Sequence, residues 1–150
     1  MTANTQHLYW GIHAGFVRYV ESLADGAVTT NGAFRTEPGD FAFDVSEFRG
    51  DEIRASGGVH FVGHGGAIDF ELRDPWIRRE GATHLLTCGA GDADDGDWRI
   101  PFAVVDASAL FRGEPAEALL TEEGSDVFFG RYLPGARLDP VLLLPSSPLA

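Results

Sequence analysis

The sequence contains a single cysteine, Cys88, which excludes an intrachain disulfide and any multi-cysteine metal site. The Cys-x-x-Cys-His run used for covalent cofactor attachment is also missing. Basic residues are scarce, 11 against 23 acidic, for a formal net charge of −12. Arg78-Arg79 is the only adjacent basic pair. That balance opposes nucleic acid and anionic lipid as partners, because both are held by clustered Lys and Arg. No apolar run is long enough to span a bilayer, so membrane insertion is not expected. Residues Met1–His7 lack a basic region and an apolar core and do not form a secretory signal. With Met1 as the native start the expectation is a cytoplasmic protein, and export or surface display is the alternative for a trimmed chain.

Several signatures are absent or fail on inspection. Gly-x-Ser-x-Gly, His-Glu-x-x-His and P-loop sequences do not occur. Gly89-Ala90-Gly91 begins like a dinucleotide fingerprint but lacks the third glycine and a following helix. Asp92–Asp97 is acidic, yet Gly96 falls where a calcium ligand should be and no glutamate closes the loop. Gly89–Asp97 reads as a solvated hairpin loop.

What is present suits one domain over residues 1–150: 44% hydrophobic residues, 11 Phe and 19 Gly, enough for a core with many turns. Ile12, Phe16, Tyr19, Val20 and Leu23 recur at spacings of three and four, which predicts a helix over 10–24, with Gly11 and Gly15 as the places where it can be interrupted. Asp25-Gly26 stops it, with Gly26 in the left-handed cap conformation. Alternation predicts strands at Phe41–Val45, Gly58–His64 and Ile68–Leu72, the last ended by Asp74-Pro75. The turn Gly63-His64-Gly65-Gly66 joins the latter two as a hairpin. Further strands are expected at Ala27–Arg35, Thr83–Cys88, Trp98–Asp106, Val127–Tyr132 and Pro140–Leu144. Leu119–Gly124 is a loop or a short helical turn, and the pattern does not decide. The fold class is therefore mainly β: a two-sheet sandwich or distorted barrel of short antiparallel strands with one N-terminal helix and room for a second short helical turn.

Few residues carry chemistry. Tyr19 lies on the apolar stripe of the predicted helix, where its hydroxyl needs a partner; periodicity alone reads it as a core tyrosine with its tip at the surface. The period of two puts Val59 and Phe61 on one face of their strand and His60, Val62 and His64 on the other. Four residues along a strand separate His60 and His64 by about 13 Å, too far to chelate one small ion. His13 and His84 form no evident group. Cys88 is read as a small buried hydrophobe.

Four segments, in order, resemble one family. They are Trp10-Gly11-Ile12-His13-Ala14-Gly15-Phe16-Val17-Arg18-Tyr19-Val20, then Gly58–Asp69 with Val59-His60-Phe61-Val62-Gly63-His64-Gly65-Gly66 at its centre, then Asp74-Pro75. The closing segment is Phe129-Gly130-Arg131-Tyr132-Leu133-Pro134-Gly135 with Leu138-Asp139-Pro140-Val141. Together they are similar to the haem-transport-associated (HtaA) domain family of actinobacterial haem acquisition over residues 10 to about 144.

The resemblance implies a mainly β domain that binds ferric haem b non-covalently, with no reaction of its own, for uptake, transport or buffering. It implies Tyr19 as the axial ligand of the haem iron and His64 as its supporting histidine, with His60 as the alternative. Phe16, Val20 and Val62 are candidate walls for the porphyrin, and Arg18 or Arg35 for its propionates. Haem is the expected partner, together with other haem carriers or transporters; oligomeric state is left open. Two competing functions stay in view: a haem-dependent, peroxidase-like enzyme, and a β-sandwich interaction module without haem.

Overall fold

A computed structural model of the chain describes residues 6–36, 39–89 and 99–145. It is mainly β, with 11 strands in one antiparallel, strongly curled sheet. The strands are β1 (Gln6–Trp10), β2 (Ala27–Asn31), β3 (Phe34–Arg35), β4 (Phe41–Arg49), β5 (Glu52–Ser56) and β6 (Gly58–Gly63), followed by β7 (Ile68–Glu80), β8 (Thr83–Gly89), β9 (Arg99–Val105), β10 (Ala118–Leu120) and β11 (Val141–Pro145). Three short helices complete it: α1 (Ala14–Ser22), α2 (Ala107–Phe111) and α3 (Glu122–Val127).

The sheet runs β10-β9-β8-β7-β5-β4-β1-β11. Its two ends meet where Ala116 and Val141 exchange backbone hydrogen bonds of 2.8 and 2.9 Å. A sheet curled until its ends touch is the distorted-barrel form of the expected class. Its core is aromatic: Trp10, Phe41, Phe43, Phe61, Phe102 and Phe128 are all fully buried.

The helix is shorter than the periodicity implies. Trp10 belongs to β1, paired with Phe41 and Val141, and Ile12 has a left-handed φ of 62°. Both are buried from a strand and a bend, so their apolar character mimicked a helical stripe. Helix α1 starts after His13, whose Nδ1 accepts the Phe16 N–H at 3.0 Å. Gly26 does not adopt the left-handed cap; glycine is needed there because a Cβ would collide with the Val20 carbonyl.

Asp74-Pro75 bends a strand where the sequence suggested an end. β7 continues to Glu80, and the ladder to β8 slips between Arg73 and Trp76. At the bend, Asp74 N–H donates to the Gly57 carbonyl at 2.7 Å, and the Asp74 carboxylate accepts the Gly57 N–H at 3.0 Å. Gly57 has φ 122°, and a Cβ there would press on Ala33. Before the bend β7 pairs with β6, and beyond it with β5. The kink thus turns the β2-β6 flap away from the main path of the sheet, and α1 sits against this flap.

Other differences are local. The expected strand over 27–35 is split into β2 and β3 by Gly32, with φ 80°. Residues 119–124 divide into the end of β10, the cap Thr121 and the start of α3, where Thr121 Oγ1 accepts the Gly124 N–H at 2.9 Å. Val127–Tyr132 is not a strand. It is the end of α3 and a turn built on buried Ser125, whose carbonyl accepts from Phe128 and Gly130 and whose hydroxyl donates to the Tyr132 carbonyl at 2.5 Å. Most of the acidic loop Gly89–Asp97, with Trp98, lies outside the described residues. Among the described residues no helix is long and apolar enough to cross a membrane.

Phe102 is fully buried, with Trp10 and Phe128 both packed edge-on at 5.7 Å. Phe102→Ala is expected to destabilise the fold by about 3–5 kcal/mol, read from the denaturant midpoint. Cys88 is buried and burial pushes its thiol up to about 12. A thiol reagent at neutral pH should therefore modify Cys88 no faster than the protein unfolds; rapid native-state labelling would contradict this placement.

Candidate functional site

The Tyr19 hydroxyl and His64 Nε2 share a short hydrogen bond, its direction set by the histidine tautomer. The two residues lie at the mouth of a cleft of about 400 Å³ lined also by Phe16, Ala67, Ile68, Phe128, Phe129 and Arg131. The Arg131 guanidinium stacks over the Tyr19 ring, 4.0 Å from its centroid. An oxygen donor, an imidazole and a cation thus meet beside an aromatic wall.

Each part is fixed from a different direction. Helix α1 is latched at its start by Asp139: its Oδ1 accepts the Ala14 N–H at 3.1 Å, and its carbonyl accepts the Trp10 indole N–H at 3.0 Å. Gly11 is required beside it, because a Cβ would collide with the Asp139 carboxylate. Along the inner face of α1, Phe16 packs on Phe61 at 5.2 Å and on Phe128 at 4.9 Å. His13 stacks on Tyr132 at 4.2 Å. These contacts set the rotation of the helix, and Tyr19, one turn beyond Phe16, is carried to the cleft.

His64 reaches Tyr19 because it is not part of the strand. It opens a 3₁₀ turn, His64–Gly66, with φ 52° at His64 and 63° at Gly65. Asp25, just past α1, closes over this turn. Its carboxylate accepts the backbone N–H of Gly65 at 2.7 Å and of His64 at 3.2 Å. Successive amides aimed at one carboxylate form an anion-binding nest, and the Gly65 bond above all holds Asp25 below the usual carboxylate range.

The positive φ overturns the expected face. His60 and Val62 lie on the side of β6 opposite the buried Val59 and Phe61. There His60 Nε2 contacts Asp69 Oδ1 at 2.6 Å. His64 has been turned to the helix side, away from both. His60 therefore does not stand beside Tyr19, and Val62 does not line the cleft. Val20 is fully buried in the core, behind the wall it was expected to form. Phe16 does line the cleft.

The arginines expected near an anionic ligand are elsewhere. Arg18 and Arg35 line a separate cleft of about 370 Å³ with Asp40 and Asp139. Arg35 is committed to Glu21, two N–H···O contacts at 2.5 and 3.0 Å that hold the Glu21 carboxyl below its ordinary value. Another cleft, of about 470 Å³, brings Arg99 together with Glu123 and Asp126, with neither tyrosine nor histidine among its described lining residues. His84 sits beside Asp51 at 3.8 Å, remote in sequence from the other histidines. Among the described residues no three His, Cys, Asp or Glu side chains form a metal-binding group.

Ala67, Ile68, Phe128, Phe129 and Arg131 are not among the site residues expected from the sequence, although all but Phe128 lie in the segments that carry the family resemblance. Ile68 reads as ordinary strand core. The last three were hidden by a strand reading of 127–132, although Thr121, followed by Glu122 and Glu123, is a helix-start signal that removes those residues from a strand.

A family model described as Htaa matches residues 5–143. The C-terminal domain of HtaA from Corynebacterium glutamicum is similar over 95% of this chain and 96% of that one, with 26% identity and a TM-score of 0.75. The N-terminal domain of the same protein is similar over 97% and 98%, with 24% identity and a TM-score of 0.73. The heme binding protein HtaB of that organism shares the fold at 18% identity, covering 95% and 94%, with a TM-score of 0.68. No curated protein matches the chain.

The Asp25 clamp makes the histidine turn dependent on a carboxylate. Because its folded value is lowered, Asp25 favours the folded turn above the ordinary carboxylate value (about 3.9), and this support is lost as pH falls through the lower folded value. Asp25→Ala should loosen the 64–66 turn at neutral pH, seen as faster amide exchange at His64 and Gly65. Unchanged exchange at both amides would show that the turn holds without the carboxylate.

Proposed function

The chain belongs to the HtaA family, and on that premise we propose that it is a non-covalent haem-binding protein, with Tyr19 as the axial ligand of ferric haem b and His64 as the donor to that ligand. The observation that carries this reading is the bond between the Tyr19 hydroxyl and His64 Nε2 at the mouth of an aromatic-walled cleft. HtaB, which shares the fold, is described as a heme binding protein, and that description supports the reading.

The residues present fit the group. Ferric iron is a hard Lewis acid that favours an anionic oxygen, and tyrosinate is a known haem ligand. A free phenol loses its proton near pH 10, so metal coordination supplies most of the driving force at neutral pH. The chain's own residues supply the rest. With Nε2 protonated, His64 donates to the phenolate oxygen, stabilises its charge and fixes the ring orientation. The Asp25 clamp holds the backbone of His64, so the imidazole is aimed before ligand arrives. Phe16, Ile68, Phe128 and Phe129 provide the apolar wall that a flat macrocycle needs and that excludes water.

The same hydrogen bond would draw some electron density from the phenolate, but it would lower the cost of holding Tyr19 deprotonated by more than that, so its net effect on a bound ferric haem would be stabilising. A carrier reading is favoured over a peroxidase-like one because the cleft's histidine is already engaged with the ligand oxygen; an acid–base pair on the open side of the haem would need other residues. Uptake, transfer or buffering then implies haem and the proteins that deliver or receive it as partners.

Hemin titration of the purified chain tests this. Tyr19→Ala should largely abolish the Soret and charge-transfer features of the complex, whereas His64→Ala should keep a complex with shifted bands and weaker binding, by roughly tenfold or more for a lost charge-assisted hydrogen bond. Tyr19→Ala giving the wild-type spectrum would remove the assignment.

A further inference from the structure

All 11 basic residues of the chain are arginines. Eight of them meet an aspartate or glutamate oxygen. The remaining three differ in where they sit. Arg99 stacks on Trp76 at 3.8 Å and donates to the carbonyls of Asp74 and Thr87. Arg18 lies in the separate polar cleft with Asp40 and Asp139. Only Arg131 lines the cleft of Tyr19 and His64, and among the described residues it has no carboxylate partner.

We propose that Arg131 is the anion-binding residue of this cleft, receiving a carboxylate of a dicarboxylate tetrapyrrole while Tyr19 holds its metal. The proposal rests on the reading of Tyr19 as the iron ligand. Its own basis is the way the guanidinium is used. The guanidinium carbon lies over the face of the Tyr19 ring, 4.0 Å from its centroid, a contact made by charge and not by hydrogen bonds to an acceptor, and a guanidinium carries its N–H donors in a planar fork. The aromatic contact therefore holds the group at the cleft without committing to another carboxylate the donors that grip one in a bidentate way.

Charge makes such a contact valuable. A chain of net charge −12 repels an anionic ligand at long range, and the eight arginines that meet a carboxylate are already neutralised. A spare cation beside the metal-binding oxygen offsets that repulsion where the ligand lands. It also selects among tetrapyrroles: those with free carboxylates gain the contact and esterified ones do not. Arg131 reaches this place through the turn after α3, where Gly130, with φ 74°, and the Ser125 carbonyl fold the chain back.

The test compares three ligands on wild type, Arg131→Gln and Arg131→Lys: hemin, hemin dimethyl ester and metal-free protoporphyrin IX. Because Arg131 is exposed and screened, Arg131→Gln should weaken hemin by roughly three- to tenfold. Metal-free protoporphyrin IX should weaken by a similar factor, since its carboxylates remain, and the dimethyl ester should not change. Arg131→Lys, which keeps the charge but not the planar fork, should recover part of the loss. The charge-transfer band of the hemin complex should stay in place, as the iron ligand is untouched. An equal loss for hemin and its ester would overturn the proposal, placing the effect in the Tyr19 ring instead, and so would no loss with any ligand. If Tyr19 proves not to be the iron ligand, the metal-free porphyrin still reports on Arg131 alone, so the two failures are distinguishable.

Discussion

The bond between Tyr19 and His64 joins a helix to a turn 45 residues later in the chain, and the rest of the site depends on how those two segments are held apart and then brought together. Neither residue is positioned by the other. Helix α1 is fixed from its start by Asp139 and along its inner face by Phe16 among the aromatic rings. The histidine turn is fixed by Asp25. A phenol and an imidazole so placed are preorganised, and the ordering entropy of the pair is met during folding and not when ligand binds. Since Asp25 lies just past the C-cap Leu23 and Ala24 that end α1, the segment that aims the tyrosine also aims the histidine.

Two aspartate–glycine contacts shape the frame around this pair. Asp74 bonds Gly57 at the kink of the long β5-β6-β7 ribbon, and Asp139 bonds the start of α1 beside Gly11. In the first the carboxylate accepts the glycine N–H while Ala33 fills the space a Cβ on Gly57 would take, and in the second the carboxylate itself fills the space a Cβ on Gly11 would take, so the short motifs Trp10-Gly11, Asp74-Pro75 and Asp139-Pro140 are architectural. The first bends the flap that carries His64; the second ties the closing segment to the opening one. Sheet ends that meet at Ala116 and Val141 leave the sheet curled around its aromatic core. Motifs far apart in sequence are in this way parts of two local structures.

Much of this was legible in the sequence, and the failures have physical causes. Alternation located the start of β4, β6 and the first half of β7, while β8, β9 and β11 were expected as strands without it, and successive residues of β8 are buried with no alternation. Helix α1 was placed but overextended, since Trp10 and Ile12 are buried from β1 and a bend at helical spacing. Tyr19 and His64 were picked out by family resemblance; periodicity offered a core tyrosine and put His64 on the face of His60 and Val62. A single positive φ at His64 reverses that face, and no side-chain pattern encodes it except the following Gly65-Gly66. Phe128, Phe129 and Arg131 stayed hidden because two phenylalanines before Gly130 look like strand, whereas buried Ser125 folds them into a turn. Val20 shows the converse case, an apolar residue next to Tyr19 in sequence that faces the core.

The clefts also divide the charges in a way composition could not show. Arg18 and Arg35 lie together with acidic partners, while Arg131 stands alone on the tyrosine. The account as a whole rests on an iron–oxygen bond at position 19. Resonance Raman spectroscopy of the ferric haem complex, excited in the charge-transfer band, observes that bond directly. Tyrosinate ring and iron–phenolate modes that shift in protein labelled with ring-deuterated tyrosine, and that vanish in Tyr19→Phe, are the result predicted. A spectrum without tyrosinate modes, showing histidine coordination in their place, would contradict it.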